Sequence, residues 1–334
     1  MKKILSFLIG CCLLFITINI TANPNVCAND YETIPFSGCI RTCKEPYQIT
    51  TIEQLDAIRD TLDGSFILMN DLDFLNDASY EHPENKNDYI QGSGWLPIIT
   101  SKEEAFTGTF NGQDHIISNL FVNRTTHCSL FGIIETAEVT NLDLINVDIK
   151  GRGALGCIAS HSKSSIITHC QVEGTINGKS YNVGGLVGTN NGTIANCQAS
   201  VDVIGNYYVG GLVGFNEGNI TDSSATGEVK GYDFSKEIVN IGGLVGGNSG
   251  SIKDSYATGK VTGNRCVGGL TGCNWESISQ CYATGDIIGV KPYNGISILD
   301  LILGRWYLGR LTGADFGSIT QSYGTGNIRR KLFV

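Results

Sequence analysis

The sequence predicts an all-β fold, a right-handed parallel β-helix or β-solenoid with coils of about 26 residues. The first observation is a repeat of Gly-Gly-Leu-Val-Gly or close variants, with glycine pairs that begin at Gly184, Gly210, Gly242 and Gly268. The second is composition, because 43 of the 334 residues are glycine, which permits tight bends and close stacking of short strands. A propeller blade needs more strands than a repeat of this length holds, so the β-helix is favoured.

Equivalent positions in successive repeats predict which side chains face the core. A leucine follows each glycine pair, an isoleucine comes eight residues later, and both are predicted to point inward. The column after the leucine changes from valine to Thr271 and Thr312, so we expect it to face outward. An asparagine stands four residues after the leucine, where we expect left-handed backbone and an axial hydrogen-bonded ladder. The columns are Leu186, Leu212, Leu244, Leu270 and Leu311; Ile194, Ile220, Ile252, Ile278 and Ile319; and Asn190, Asn216, Asn248, Asn274 and Asp315.

The second half of each repeat predicts a strand with alternating faces. In the third copy, Ser255, Ala257 and Val261 share one face, whereas Tyr256 and Lys260 share the other. The charged lysine marks the outer face, so the face with small residues is predicted to line the core. The first column of this face contains only cysteine and serine, which we interpret as buried small residues, so the cysteines are not expected to be catalytic thiols. The members of that column are Cys170, Cys197, Ser223, Ser255, Cys281 and Ser322.

The N-terminal residues predict export from the cytoplasm. Two lysines precede an apolar run and a small-residue site ending at Ala22, which is the pattern of a secretory signal peptide. We expect cleavage after Ala22, and residues 8–11 offer a lipobox as the alternative. A second apolar run of the roughly 18 residues that span a membrane is missing, so the mature chain is predicted to have no transmembrane span.

The chain is predicted to divide into a signal peptide and a solenoid with a capped N-terminus. The segments are residues 1–22, the signal peptide; 23–46, a cysteine-containing segment; 47–150, a lead-in with a capping helix and the first coils; 151–328, the repeat solenoid; and 329–334, a basic tail. The helix is predicted over residues 51–62, with Thr51 as N-cap and Gln54 as its capping-box partner. Export permits disulfides, for which Cys27, Cys39 and Cys43 are candidates with the pairing left open.

The repeats "GGLVGFNEGNITDSSATGEV" and "GGLVGGNSGSIKDSYATGKV" resemble the GLUG motif, which is named for its Gly-Leu-x-Gly core. The lead-in "YQITTIEQLDAIRDTLDGSFILMNDLDF", with the later "FTGTFNGQDHIISNLFV", resembles the segment that commonly precedes such repeats. The resemblance implies a secreted or surface-exposed bacterial protein with a β-helical body. Such repeats occur in adhesin-like proteins and beside some secreted metalloproteases, and the motif itself implies no catalytic residue. This chain departs from the pattern at Arg310, which replaces a glycine, and in an insertion over residues 291–306.

Motifs for catalysis are missing from the sequence. It contains no His-Glu-x-x-His, no Gly-x-Ser-x-Gly and no phosphate-binding glycine loop. The net charge of −9 argues against general binding of nucleic acid, which needs basic surfaces. Asp71 and Asp73 share a strand face and are candidates for Ca²⁺, but a solvated turn is the preferred interpretation. His115 is interpreted as structural, and no cofactor is expected.

Aromatic residues at two places are the candidates for ligand binding. Tyr256 and Tyr282 fall in one outward column and are expected to stack between adjacent coils. Other aromatic residues occupy the corner before the glycine pairs, where the repeat length varies, and such variable loops often carry binding sites. The candidates are Tyr207, Tyr208, Tyr232, Phe234, Tyr256, Tyr282, Tyr293 and Trp306.

The sequence therefore predicts a secreted or cell-surface, non-enzymatic β-solenoid that recognises a glycan or a host or matrix protein. A purely structural stalk is the alternative. A polysaccharide lyase or hydrolase ranks third, because the outward column of Asp202, Glu228 and Lys260 mixes signs of charge. Acid–base cleavage of a glycosidic bond needs paired carboxylates instead.

Overall fold

The computed structural model describes residues 45–77, 92–101, 103–179, 181–231, 240–291 and 307–332. Its strands form three sheets in which every coil stacks in parallel on the one before, which confirms the predicted parallel β-helix. The predicted signal peptide and the candidate disulfide residues Cys27, Cys39 and Cys43 lie outside the described residues.

The three sheets, called A, B and C, run along the axis of the β-helix. Sheet A contains β1 (Tyr47–Ile49), β2 (Ser65–Leu68), β4 (Thr109–Asn111), β7 (Ile133–Glu135), β8 (Glu138–Thr140), β10 (Ala159–Thr168), β13 (Val187–Ala195), β16 (Val213–Asn216), β17 (Asn219–Thr221), β21 (Val245–Asn248), β22 (Ser251–Lys253), β26 (Thr271–Asn274), β27 (Ser277–Ser279), β31 (Thr312–Asp315) and β32 (Ser318–Thr320). Sheet B contains β3 (Leu72–Asp73), β5 (Ile116–Ser118), β6 (Phe121–Arg124), β9 (Asp143–Gly151), β11 (Gln171–Gly178), β14 (Gln198–Gly205), β18 (Ser224–Ala225), β19 (Val229–Gly231), β23 (Tyr256–Ala257), β24 (Val261–Gly263), β28 (Tyr282–Ala283), β29 (Ile287–Lys291), β33 (Tyr323–Gly324) and β34 (Ile328–Leu332). Sheet C contains β12 (Val183–Gly184), β15 (Tyr208–Gly210), β20 (Asn240–Gly242), β25 (Cys266–Gly268) and β30 (Tyr307–Gly309).

One repeat shows how the sequence forms a coil. The chain leaves β15 in sheet C, bends at residues 211–212 and enters β16 and β17 in sheet A. Asp222, with a φ of 48°, then turns the chain into β18 and sheet B. Equivalent residues lie side by side, as Ile220 does with Ile194 below it and Ile252 above it. Each sequence repeat therefore forms one coil, and equivalent residues of successive repeats lie in register.

The predicted inward columns are buried in one continuous core. Leu186, Leu212, Leu244 and Leu270 are each 0% exposed, and four of the five isoleucines of the second column are at most 1% exposed. In the last described coil the leucine and isoleucine of these columns are only partly buried against that core. The core thus follows the sequence columns as expected.

The prediction for the column after the leucine is wrong. Val213, Val245 and Thr271 are fully buried rather than outward-facing. The bend after the glycine pair breaks the two-residue alternation of a strand, because the backbone N–H groups of Leu212 and Val213 both donate to the carbonyl of Leu244. Two successive side chains therefore belong to the core.

The asparagine column forms the predicted axial ladder. From Asn190 to Asp315, each asparagine Nδ2 donates to the Oδ1 of the next member at 2.8 Å. The four asparagines are fully buried, so the ladder satisfies amides that water cannot reach. The expected left-handed backbone is not at these positions but at the corner between sheets A and B. The left-handed residues there are Asn196, Asp222, Asp254, Gln280 and Gln321.

The column of cysteine and serine is buried, as predicted, except at Ser322 in the last described coil, which is half-buried. Ser223 accepts a hydrogen bond from the backbone N–H of Cys197 at 3.1 Å, and Ser255 accepts one from Ser223 at 3.1 Å. The thiol of Cys281 donates to the carbonyl of Ser279 at 3.1 Å. Burial raises the pKa of Cys281 to about 11. The thiol is therefore protonated and acts as a small hydrogen-bond donor, not as a nucleophile.

The N-terminal cap is a shorter helix than predicted. It consists of α1 (Ile52–Asp56) and a 3₁₀ turn (Ala57–Asp60). Thr51 is the N-cap, as predicted, and its hydroxyl accepts from the backbone N–H of Gln54 at 3.2 Å. The Gln54 side chain accepts from the backbone N–H of Thr50 at 2.7 Å, so the expected capping box is displaced by one residue.

Apolar packing and the guanidinium group of Arg59 hold the cap against the first coils. Ile52, Leu55 and Ile58 are fully buried in the common core. The guanidinium of Arg59 donates to the carbonyl of Leu96 at 3.2 Å, which fixes the 3₁₀ turn against the segment that follows the first coil. The helix thus covers apolar residues that would otherwise face water at this end.

Sheet C packs directly on sheet A through glycine. A Cβ atom at Gly246 would lie 2.4 Å from the backbone nitrogen of Val209, in the sheet C strand of the preceding coil. At Gly214 it would lie 2.6 Å from the backbone nitrogen of Val183. Neither glycine has a positive φ, so the requirement is close approach of two backbones rather than conformational freedom.

We expect Asn216→Ala to lower the free energy of unfolding by about 2–4 kcal/mol, because Asn190 and Asn248 would each lose a buried partner. Urea denaturation followed by far-UV circular dichroism measures this loss. Asn191→Ala changes an exposed neighbour and is the matched control, with an expected effect below about 0.5 kcal/mol. Equal losses in both variants would contradict the role of the ladder.

Candidate functional site

Side chains of sheets C and A meet along one edge of the β-helix, which we call the seam. Asn182 Nδ2 donates to Thr189 Oγ1 at 2.9 Å, and one coil later the rings of Tyr208 and Phe215 lie 4.8 Å apart. The sheet C column of the seam continues from Tyr208 through Asn240, Cys266 and Tyr307. The sheet A column runs through Thr189, Phe215, Gly247, Cys273 and Ala314.

Three aromatic rings pack together on the seam. The ring centroid of Trp275 lies 6.4 Å from those of both Tyr208 and Phe215, at interplanar angles of 69° and 62°. Gly247 makes room for them, because a Cβ atom there would lie 2.7 Å from Tyr208 Cδ1 and 3.0 Å from Phe215 Cδ2. Edge-to-face packing does not cover the ring faces fully, and Trp275 is 37% exposed.

Further exposed aromatic residues flank this cluster on the same edge. Tyr181 and Tyr207 stack at 4.3 Å, and Phe316, one coil beyond Trp275, is 68% exposed. Tyr307 is 43% exposed in the last sheet C strand. The aromatic seam is defined as Tyr181, Tyr207, Tyr208, Phe215, Trp275, Tyr307 and Phe316. It forms an apolar strip with phenol and indole groups.

Tyr208 is the most enclosed polar group of the central ring cluster. Burial raises the pKa of its hydroxyl, and the thiols of Cys273 and Cys266 raise it further, against the opposing effect of a hydrogen bond with Asn240. The hydroxyl therefore stays neutral at physiological pH and can serve as a hydrogen-bond donor. The strip thus combines apolar area with neutral polar groups.

The predicted tyrosine stack is present on the outer face of sheet B, but its geometry limits what it can bind. Tyr256 and Tyr282 lie 4.9 Å apart at 3°, and Tyr282 and Tyr323 lie 5.7 Å apart at 13°. Each ring covers the face of its neighbour, so the ladder presents mainly ring edges and hydroxyls. Face stacking on a ligand is left to the two end rings, Tyr256, whose other neighbour in the column is Ser224, and Tyr323, which is 57% exposed.

The structure distributes the predicted ligand residues over two surfaces. Two lie in the aromatic seam, Tyr207 and Tyr208, and two lie in the ladder, Tyr256 and Tyr282. Four candidates fall outside the described residues: Tyr232, Phe234, Tyr293 and Trp306.

Sequence reasoning missed Phe215, Trp275 and Phe316, which follow the glycine pair rather than precede it. Aligned columns do not show that sheet C folds over the sheet A strand that carries Phe215. A signal was available, because Phe215 is the one aromatic residue in a column that otherwise holds small residues such as Gly247 and Ala314. The corner before the glycine pair and the strand after it form one surface.

The carboxylates proposed as Ca²⁺ ligands are already hydrogen-bonded within the protein. Asp71 Oδ1 accepts from the backbone N–H of Ile116 at 3.0 Å, which lowers the pKa of Asp71, and lies 3.2 Å from His115 Nδ1. Asp73 Oδ1 accepts from the backbone N–H of Leu75 at 3.0 Å. Within the described ranges, no group of three or more histidine, cysteine or acidic side chains is placed to hold a metal ion. The geometry favours the polar turn.

The outward column of mixed charge is an ion-paired surface. Lys260 Nζ lies 2.7 Å from Glu228 Oε1, and Asp202 Oδ1 accepts from the backbone N–H of Glu228 at 2.8 Å. The carboxylate of Glu228 is therefore paired with the Lys260 ammonium group, and the carboxylate of Asp202 is hydrogen-bonded to a backbone amide. This arrangement matches a solvated face rather than a pair of carboxylates for acid–base work.

A histidine pair that sequence spacing does not indicate lies at the start of the seam. The rings of His127 and His161 are 5.6 Å apart, and Ser160 Oγ lies 3.2 Å from Nδ1 of each. The Ser160 hydroxyl also donates to the carbonyl of Gly132 at 2.8 Å and is fully buried. The serine therefore joins the two rings as a structural link.

Two families match different parts of the chain. The GLUG motif matches residues 179–204, 205–230, 239–262 and 263–288, which are the coils that carry the intact glycine pairs. The chain carries four tandem GLUG motifs. The N-terminal region of the M26 IgA1-specific metallo-endopeptidases matches residues 49–174, which form the cap and the first coils of this GLUG-repeat protein.

Two relatives share the repeat sequence. The GLUG-repeat protein is 35% identical over 156 residues to Halomucin of Haloquadratum walsbyi, a match that covers 44% of this chain and 2% of that protein. It is 35% identical over 145 residues to a protein of Evansella cellulosilytica provisionally named a Gly-rich membrane protein, covering 41% and 16%. The chain thus spans a small fraction of the length of both relatives.

A solved structure shares the fold. The crystal structure of a Bacteroides ovatus protein, provisionally named an immunoglobulin A1 protease, aligns with a TM-score of 0.59 and 21% identity over 83% of this chain and 84% of that one. At this identity the likeness establishes the fold alone. In the part of the chain that the structure describes, no helix has the length and apolar character needed to cross a membrane.

We expect Gly247→Ala to displace the rings of Tyr208 and Phe215, because the new methyl group would lie within 3.0 Å of both. Side chains rather than backbone must move, so the melting temperature should fall by only a few degrees while the near-UV circular dichroism changes clearly. Thr258→Ala, on the exposed outer face of sheet B, is the control. An unchanged near-UV spectrum in Gly247→Ala would contradict the ring cluster.

Proposed function

We propose that this GLUG-repeat protein is a cell-surface β-solenoid that recognises a glycan or a host or matrix protein through the aromatic seam. The observation that carries the proposal is the concentration of exposed rings on one edge, where Trp275 is 37% and Phe316 is 68% exposed. Single exposed apolar residues are ordinary, but contiguous apolar patches mark interaction sites. Aromatic side chains also supply large contact areas at low entropic cost.

Location at the cell surface rests on three supporting observations. The chain carries four tandem GLUG motifs, one relative bears the name of a membrane protein, and the N-terminus has the pattern of a secretory signal.

A structural stalk is the second candidate function. The observation that favours it is the strict register of the repeats, with the asparagine ladder continuous from Asn190 to Asp315. Such a body is stiff and can be lengthened by adding coils. A stalk, however, would not require exposed tryptophan and phenylalanine on a single edge.

Catalysis by the described residues is not proposed. The match to the M26 family concerns its N-terminal region. The most regular column of charge, on sheet B, pairs Glu228 with Lys260 at 2.7 Å. These observations support a recognition or scaffold function for this part of the protein.

We expect an array of immobilised glycans and matrix proteins to yield a ligand whose binding weakens at least about tenfold in Trp275→Ala and in Phe215→Ala. The reason is loss of apolar contact area at the centre of the aromatic seam. Tyr282→Ala is the matched control, because it removes a ring of the size of Phe215 from the ladder, where ring faces are covered. Melting temperatures of all three variants check that the fold is retained.

Two results would change the proposed function. If Tyr282→Ala weakens binding as much as Trp275→Ala does, the ligand lies on the sheet B ladder. If the wild-type protein binds nothing on the array while it remains folded, the stalk is favoured over recognition.

We expect the purified protein to release no product from pectin, alginate, host glycans or protein substrates, because Glu228 is ion-paired with Lys260 and Asp202 is hydrogen-bonded to a backbone amide. Chromatography of the reaction mixtures with mass detection measures this. Reproducible product release that is lost in Glu228→Gln or Asp202→Asn would show the proposal of a non-enzymatic protein to be wrong.

A further inference from the structure

Two cysteines face each other across the seam in the fourth GLUG coil. Cys266 is the first residue of β25 in sheet C, and Cys273 is the third residue of β26 in sheet A. Cys266 lies in register with Asn240, and Cys273 lies in register with Gly247. Both are free thiols in the structure. They are therefore the seam pair of their coil.

Equivalent pairs in earlier coils show how close such side chains come. Each pair is seven residues apart in sequence, as Cys266 and Cys273 are. Asn182 and Thr189 are hydrogen-bonded at 2.9 Å, and Tyr208 and Phe215 are in ring contact at 4.8 Å. Because the coils stack in register, Cys266 and Cys273 occupy the same two columns as these pairs. Their side chains are therefore expected to meet in the same way.

The electrostatics of Cys273 agree with this placement. Burial raises the pKa of Cys273 to about 12, and the neighbouring thiol of Cys266 contributes to the increase. Cys273 is 3% exposed, whereas Cys266 is partly exposed to solvent. One sulfur is therefore accessible to reagents, and the other lies behind it.

We propose that Cys266 and Cys273 form a disulfide in an oxidising compartment and so fasten sheet C to sheet A beside the aromatic seam. The proposal is independent of the ligand proposed above. The cysteines of the inner column differ, because Cys170, Cys197 and Cys281 are buried and donate hydrogen bonds to backbone carbonyls. The seam pair is the one in which an exposed thiol meets a second thiol across two sheets.

The reaction is a thiol–disulfide exchange with a small disulfide such as oxidised glutathione. The Cys266 thiolate attacks one sulfur of oxidised glutathione, which forms a mixed disulfide and releases the first glutathione thiolate. Burial keeps Cys273 protonated at rest, so its thiol gives up its proton as the sulfur attacks Cys266 and releases the second glutathione. The two cysteines lose two protons and two electrons, and oxidised glutathione takes up both as two molecules of glutathione.

The bond would close a short loop around the bend that follows the glycine pair at Gly268. That bend joins sheet C to sheet A in every repeat, and Trp275 follows Cys273 by two residues. A covalent link at this point would hold β26, which Trp275 directly follows, at a fixed distance from sheet C. It would therefore restrict the aromatic seam as well as stabilise the coil.

The test is a thiol count on one peptide. The full-length purified protein is incubated with oxidised or with reduced glutathione, unfolded, alkylated with N-ethylmaleimide and digested with trypsin. Trypsin does not cleave the Lys291–Pro292 bond, so residues 266–305 are released as one peptide with three cysteines. We expect three alkyl groups after reduction and one after oxidation, located on Cys281 by fragmentation. Three alkyl groups after oxidation, or a bond from Cys266 to another cysteine, would overturn the proposal.

Thermal unfolding gives a second, independent measurement. The oxidised protein should melt several degrees above the reduced protein. Cys266→Asn and Cys273→Ala should each reduce this difference to what any bridge among Cys27, Cys39 and Cys43 contributes, and both are compatible with the fold because Asn240 and Ala314 occupy the same columns. Cys281→Ser, in a column that already contains Ser255 and Ser322, should retain the full difference. A redox-dependent shift as large in Cys273→Ala as in the wild-type protein would overturn the proposal.

Discussion

Stacking of equivalent residues one coil apart is the constraint on which the rest of this structure depends. Parallel strands lie about 4.8 Å apart, so each side chain rests on its counterpart in the next coil. A buried column can therefore contain only side chains that are compatible with copies of themselves. Leucine and isoleucine satisfy this by packing, and asparagine satisfies it because one amide both donates and accepts. A carboxylate cannot donate, and Asp315 accordingly accepts at the end of the ladder.

The same constraint explains where the repeats are free to differ. Inside the core, serine and cysteine exchange only because both are small and both donate to a backbone carbonyl. On the seam, Phe215, Gly247 and Cys273 occupy a single column although they differ in size and chemistry. The side chain that each copy meets across the seam also changes from coil to coil, so each copy fits that partner rather than its own kind. Individual chemistry is thus concentrated at the edge of a regular body.

Aromatic residues on the two outer surfaces show how register controls binding capacity. On sheet B, tyrosines in one column stack face to face and consume the surfaces that a ligand would use. On the seam, Tyr208, Phe215 and Trp275 come from different columns and meet at steep angles. Gly247 leaves space for the rings of Tyr208 and Phe215. Aromatic rings therefore stabilise sheet B by stacking on one another, whereas on the seam they keep ring surface that a ligand can contact.

The period and the column pattern of the sequence were sufficient to determine the β-helix, its leucine and isoleucine core, the asparagine ladder and the stack of Tyr256 on Tyr282. All of these follow from in-register stacking, which needs only the alignment of one repeat on the next. The burial of Val213, the left-handed turn at Asp222 and the meeting of Phe215 with Trp275 were decided by the tertiary structure. Their physical cause is the bend after each glycine pair, which breaks strand alternation and folds sheet C back over sheet A, and a column alignment contains no record of such contacts between columns.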